Sequence, residues 1–235
     1  MTFRLFLAFA LAAGAASSNV TSNHSISASD AAGAGGSVVP QVLLSITLGL
    51  LSLITVSGNV LVILSVAIFR KLHTIPNMFV VSLATADLIM GSVVIPLGAH
   101  LLIAGEWRLG TNACNAWTSI DILSVTASIC TLCMIALDRY VAITMPFKYS
   151  TYMTRVRARY VIVAIWAISL GIAMLPLFPS LWQTGFEEDD RCFEDETCCE
   201  YRVNVEFAIV SSLISFYIPL FIMIFSYSIV FKSEF

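Results

Sequence analysis

The stretch ACNAWTSIDILSVTASICTLCMIALDRY, residues 113–140, decides the fold. Residues 113–137 hold a single charged side chain, Asp121, before Asp138, Arg139 and Tyr140 follow in a row. An α-helix rises about 1.5 Å per residue, so a hydrocarbon layer of about 30 Å needs about 20 apolar residues to cross. This run is long enough. Four more of the same kind lie at 42–68, 77–103, 160–182 and 205–231. The alternating ten-residue pattern of an outer-membrane barrel is absent, and a segment in lipid must satisfy its own backbone hydrogen bonds. With 58% apolar and 11% charged residues, a bilayer is the natural solvent. The expectation is an all-α membrane protein with five transmembrane helices.

Outward from the spans, residues 1–16 carry Arg4, an apolar stretch and small residues ending near Ala15-Ala16-Ser17, which reads as a signal peptide. Residues 17–39 turn to Ser, Ala, Gly and Asn, too polar to offset chain entropy, and are expected to be disordered. Asn19-Val20-Thr21 and Asn23-His24-Ser25 fit the glycosylation pattern. The loops give an orientation. Arg70, Lys71 and His73 lie in the first, Lys148, Arg155, Arg157 and Arg159 in the third, and Lys232 follows the fifth span. Positive-inside asymmetry makes these cytoplasmic and the amino terminus extracellular. The fourth loop, with Glu187, Glu188, Asp189, Asp190, Glu194, Asp195, Glu196 and Glu200, then faces out.

Cys130 and Cys133 lie inside the third span and read as packing residues. Cys114, Cys192, Cys198 and Cys199 fall on the outer side, where oxidising conditions let them form two disulfides. Of three formal pairings, the one joining adjacent Cys198 and Cys199 is disfavoured, which leaves two open.

Asp87, Asp121 and Asp138 sit within or at the edge of the spans, and each is costly unless paired or hydrated. Asp138 has Arg139 beside it, so an interfacial ion pair suffices for it. Asp121 has no Lys or Arg in any span to neutralise it. It lies about 10 Å below Cys114 and about 27 Å above Arg139. The economical explanation is a cationic ligand, the alternative a water-solvated structural acid. Asp87, halfway along the second span, suits a hydrated cation such as sodium or a structural polar network, with Asn59 and Ser128 as candidate partners. In the fifth span Ser211 and Ser215 are one helical turn apart, and with Ser212 they offer hydroxyls at a depth similar to Asp121. Serines also serve simply as interhelical glue.

Gly58-Asn59, Leu83-Ala84-Thr85-Ala86-Asp87-Leu88, the interval from Cys114 to Asp121, Asp138-Arg139-Tyr140, Trp166, and Pro219 with Tyr227 together resemble the rhodopsin-type G-protein-coupled receptors over residues 40–235. Within that family the chain most resembles the β-adrenergic receptors. The matching residues are Trp117 to Asp121, Val125 to Ile129, Ala142-Ile143-Thr144, Pro146-Phe147-Lys148-Tyr149, the Cys192, Cys198-Cys199 spacing and the serines before Phe216-Tyr217. The resemblance implies helices one to five of a seven-helix bundle in the plasma membrane, with helices six and seven missing. It implies that Asp121 binds the ammonium of a catecholamine and that Ser211, Ser212 and Ser215 bind its ring hydroxyls. Ile122, Val125, Thr126, Tyr201, Asn204 and Phe207 would line the pocket. Asp87 with Ser128, and Asn59 nearby, would match a sodium site. Asp138, Arg139, Tyr140 and Tyr227 would form the cytoplasmic switch, with Phe147 an anchor for a stimulatory G protein acting through cyclic AMP. Loop geometry and resemblance together favour Cys114–Cys199 with Cys192–Cys198.

Three features depart from the β-adrenergic pattern: Cys130 replaces a usual Glu, Ile75-Pro76-Asn77 a usual Met-Thr-Asn, and Phe207 a common Tyr. Dopamine, octopamine or another biogenic amine is therefore the alternative ligand. A truncated non-signalling form, pairing with full-length receptors through exposed helix faces, is the alternative role. An enzyme is disfavoured, because His24, His73 and His100 are scattered and no nucleophile elbow, phosphate loop or metal-ligand cluster is present in the sequence. No resident cofactor beyond sodium and no nucleic-acid partner is expected.

Overall fold

In the computed structural model, residues 38–174, 199, 209–210 and 212–234 are described. Helix α1 spans Val38–Ile68. A 3₁₀ turn, Arg70–Leu72, leads to α2, Ile75–Ala104. Helix α3 covers Thr111–Thr144, the short α4 Pro146–Tyr152, and α5 Arg155–Ala173. A π turn, Leu213–Tyr217, runs into α6, Ile218–Glu234. Five of the described helices are long and apolar enough to cross a membrane. Residues 43–235 form one compact unit. Of the unit before it, the structure describes only the start of α1.

Local chemistry explains the helix ends. Pro76 sits in the first turn of α2, where its missing N–H costs nothing, so Ile75-Pro76-Asn77 opens the helix. Gly105 ends it in the left-handed conformation, φ 71°. The Thr154 hydroxyl accepts from the Arg157 N–H at 3.3 Å and starts α5 ahead of the apolar window at 160. Helix α3 likewise runs past residue 137 to Thr144, because charged residues at its end lie at the interface and carry no lipid penalty.

Two irregularities are invisible to hydropathy. In α2 the residues Met90–Val94 form a π turn two residues before Pro96, and Leu213–Tyr217 forms another two residues before Pro219. Each proline removes one N–H and crowds the carbonyl four residues back, and widening that turn relieves both. The first turn also holds its neighbours. Its Gly91 carbonyl accepts from Ser52 Oγ of α1 at 2.7 Å, and its Val94 carbonyl from Trp117 Nε1 of α3 at 3.2 Å. A Cβ on Gly91 would come within 3.0 Å of Thr55 Cγ2, so glycine is what lets α1 approach.

Helix α3 is the hub, packed against α2, α4, α5 and α6. Its buried positions are small or short: Ser119, Ser124, Thr126, Ala127, Thr131 and Ala136. Ala86 of α2, Ala127 of α3 and Ile165 of α5 form the core, with Met134, Val161 and Trp166 around it. Small residues bring helix backbones close where lipid supplies no hydrophobic contrast. Many large side chains point outward instead, among them Leu43, Leu53, Leu61, Phe221 and Phe231, while Phe79 and Trp107 are buried.

Candidate ligand site and switch

The outer end of α3 is held by two constraints. Cys114, in its first turn, is bonded to Cys199 with Cα atoms 5.7 Å apart. Trp107, in the loop before it, is fully buried, donates from Nε1 to the Gly110 carbonyl at 2.9 Å and stacks on Trp117 at 5.4 Å. Trp107 did not stand out in the sequence. The signal available was an aromatic residue between Glu106 and Arg108, in a loop where a polar residue would otherwise be expected. Cys192 and Cys198 lie outside the described residues, as do Asn19, Asn23, Tyr201, Asn204, Phe207 and the side chain of Ser211.

Below this cap Asp121 is half-buried and has no hydrogen bond or ion pair among the described residues. One turn further down lie Val125, half-buried, and Thr126, buried; Ile122, next to Asp121, is half-buried. The π turn of the fifth span packs against α3. Its Ser215 hydroxyl is shielded and has no hydrogen-bond partner among the described residues, whereas Ser212 is exposed. The one-turn spacing read for Ser211 and Ser215 involves a residue outside the described ones; Ser212 precedes the π turn and Ser215 lies within it. The structure thus sets a hydroxyl, Ser215, and a carboxylate, Asp121, both unpaired among the described residues, on adjoining elements.

Halfway down, Ser128 Oγ donates to Asp87 Oδ1 at 3.2 Å, joining α3 to α2. Asn59 does not join them: its amide donates to the Thr55 carbonyl at 2.8 Å on its own helix. A short polar side chain in lipid takes the nearest acceptor, here the carbonyl one turn back. The shared Asp87 network expected for Asn59 is therefore reduced to Ser128 among the described hydrogen bonds. Trp166 Nε1 donates to Ser82 Oγ at 3.0 Å and ties α5 to α2.

At the other end of α3, Asp138 is 1% exposed. Its Oδ1 accepts from the Tyr149 hydroxyl at 2.8 Å, and its Oδ2 lies 3.9 Å from Arg139 Nε with no hydrogen bond of its own. Tyr149 belongs to α4, which Pro146 starts. Burial, then the hydrogen bond and negative charge of Asp138, push its phenol up to about 12, against the opposing charge of Arg139. It therefore stays a donor at neutral pH. The sequence reading gave Tyr149 no role beyond its place in a matching motif. Tyr140 is half-buried, Arg139 is half-exposed, Phe147 is 98% exposed on α4, and Tyr227 is exposed on α6.

Apolar helices gathered around α3, with an unpaired carboxylate near one end and a latched carboxylate at the other, define a multi-pass membrane protein of receptor type. The sequence model of the seven-transmembrane receptor (rhodopsin) family matches residues 58–233, and the chain belongs to that family. It is 40% identical over 186 residues to the alpha-1A adrenergic receptors of Cavia porcellus and Homo sapiens, and 41% identical to that of Bos taurus. Each match covers 79% of this chain and 38% of the relative.

Proposed function

We propose that this chain supplies the amine-recognising helices of a G-protein-coupled receptor. The observation that carries it is Asp121: a carboxylate between lipid-facing helices with no cation partner among the described residues is best explained by a ligand that brings one. Ser215, shielded and unpaired, offers a hydroxyl from the neighbouring turn to a hydroxylated ring, and the adrenergic names of the relatives favour a catecholamine. Ser211, Ser212, Ile122, Val125, Thr126, Tyr201, Asn204 and Phe207 complete the proposed pocket. The β-type refinement, with a stimulatory G protein and cyclic AMP, rests on the residue matches from Trp117 to Asp121 and around Phe147. Radioligand binding and cyclic AMP measured on the seven-span receptor containing this chain test it. Amine affinity unchanged by Asp121→Asn would end the pocket reading. An inositol-phosphate response in place of cyclic AMP would replace the G-protein class.

The remaining assignments belong to the same proposal. The amino terminus is outside and glycosylated at Asn19 and Asn23 after removal of residues 1–16, and the protein resides in the plasma membrane, where it can dimerise. Asp87 and Ser128 supply hard oxygen donors of the kind a sodium ion takes. Arg139, with Asp138, Tyr140 and Tyr227, forms the switch, and exposed Phe147 docks the G protein.

A further inference from the structure

Helix α4, Pro146–Tyr152, is too short to stand alone, because an isolated helix under about 12 residues is marginal in water. A helix also leaves its last carbonyls without partners inside it. Here the Tyr149 carbonyl takes the Met153 N–H at 2.8 Å. The next carbonyls are met from outside. From the first turn of α5, Arg157 reaches back, and its Nη1 donates to the Thr151 carbonyl at 2.8 Å and to the Tyr152 carbonyl at 3.1 Å. Only Met153 and Thr154, both extended, separate the two helices. The Arg157 backbone N–H is the one that the Thr154 hydroxyl accepts, so a single residue closes the end of α4 and the start of α5. Its charge suits the position, since the carboxyl end of a helix favours a cation. No carboxylate occurs in residues 140–174 to draw the guanidinium away. Arg155 and Arg159, on either side of it in sequence, are exposed and without a hydrogen bond or ion pair among the described residues.

We propose that Arg157 is a positioning residue for G-protein coupling: it keeps α4 helical from the α5 side and so sets where Phe147 stands. The inference rests on the reading of exposed Phe147 as the docking residue. A side chain with almost no packing of its own takes its direction from its backbone, and the backbone of α4 is held at two places. Tyr149 ties its middle to Asp138 of α3, and Arg157 ties its end to α5. Without Arg157 the last turn can unwind into the Met153-Thr154 link while Tyr149 stays anchored. Arg157 is exposed, so water competes for the two carbonyls, and losing the pair shifts the opening of α4 by about fivefold.

Hydrogen exchange of the full chain in lipid nanodiscs, with no G protein present, reads α4 directly through the amides of residues 147–153. Arg157→Gln should speed their exchange about fivefold and leave the amides of α3 unchanged. Arg157→Lys keeps a charged donor and should restore most of the protection, whereas Arg155→Gln removes the same charge from the same helix and should change nothing. In the seven-span receptor, agonist-stimulated nucleotide exchange on the G protein should fall with Arg157→Gln and recover with Arg157→Lys, at constant amine affinity. Wild-type exchange in Arg157→Gln would overturn the proposal, and so would an equal rise in Arg155→Gln, which would mean a general effect of charge. Full coupling in Arg157→Gln under conditions where Phe147→Ala has lost it would overturn it as well. Full coupling in Phe147→Ala would instead remove the docking reading, and with it the coupling role, while the exchange data still decide whether Arg157 holds α4.

Discussion

Tyr149→Phe removes one oxygen and with it the one side-chain hydrogen bond that Asp138 receives among the described residues. The cost follows from what remains. Oδ2 of Asp138 already lacks a hydrogen bond, and Arg139 Nε at 3.9 Å is too far to donate one, so the buried carboxylate would be left without a donor. A hydrogen bond to a charged group contributes about 1.5–3 kcal/mol, and its loss costs most when the abandoned group is buried. Tyr149 itself is half-exposed, so water will replace part of it, and about 2 kcal/mol is the expected destabilisation. The measurement is a double-mutant cycle of Tyr149→Phe with Asp138→Asn on the purified protein in detergent, read by denaturant unfolding. A coupling of about 1–2 kcal/mol is expected, and a value under about 0.5 kcal/mol would refute the latch. The same pair has a pH signature. A phenol whose folded pKa is raised to about 12 stabilises the fold fully below its ordinary value near 10, and that contribution is lost as pH climbs toward 12. Wild-type melting should therefore fall over that interval more steeply than that of Tyr149→Phe.

In the seven-span receptor, Asp121→Asn should weaken amine binding by several kcal/mol, and Ser215→Ala by about 1 kcal/mol and only for ligands with ring hydroxyls, both read by competition binding. Ser52→Ala should cost about 1 kcal/mol of stability by releasing the Gly91 carbonyl, and Gly91→Leu more, since its Cβ already crowds Thr55; thermal unfolding checks both. Non-reducing peptide mapping should recover Cys114 with Cys199 and Cys192 with Cys198, and a Cys114–Cys192 peptide would contradict that framework. Glycosidase should shift the protein through Asn19 and Asn23, and a protease-protected loop at 185–200 would overturn the orientation.

What could be read from the sequence was whatever depends on composition along one helix. Five spans emerge from hydropathy because length and greasiness are one-dimensional, and Asp121 emerges because a carboxylate without a nearby cation is a chemical anomaly at any packing. The two π turns are harder: Pro96 and Pro219 signal a break in the ladder, but whether the helix kinks, stops or widens depends on its neighbours. For Asn59 the sequence offers two acceptors, the distant Asp87 and the Thr55 carbonyl one turn back, and the described hydrogen bond goes to the nearer. Tyr149 went unassigned because its contact to Asp138 crosses from α4 back to α3.

The geometry also constrains how the two ends of α3 would communicate in the proposed receptor. Asp121 and Asp138 lie on one unbroken helix about 26 Å apart, whose buried face of serine, threonine and alanine is clamped by α2, α5 and α6. Interfaces packed this closely switch between discrete arrangements and do not deform smoothly. Helix α3 is thus a poor moving part and a good axle. The adaptable backbone lies beside it, in the π turns at Met90–Val94 and Leu213–Tyr217, one bonded to Trp117 and the other carrying the unpaired Ser215. A ligand bridging Asp121 and Ser215 would pull on the second turn and leave the axle in place. Tightening that turn to α-helical register would rotate α6 beneath it, carrying Tyr227 at the far end relative to the fixed pair of Asp138 and Tyr149. Deleting one residue within Leu213–Tyr217 imposes that register without ligand. If α3 is the axle, the deletion should change the accessibility of a cysteine placed at Tyr227 while leaving the Tyr149–Asp138 coupling energy unchanged; a coupling that vanishes with the deletion would show that α3 itself moves.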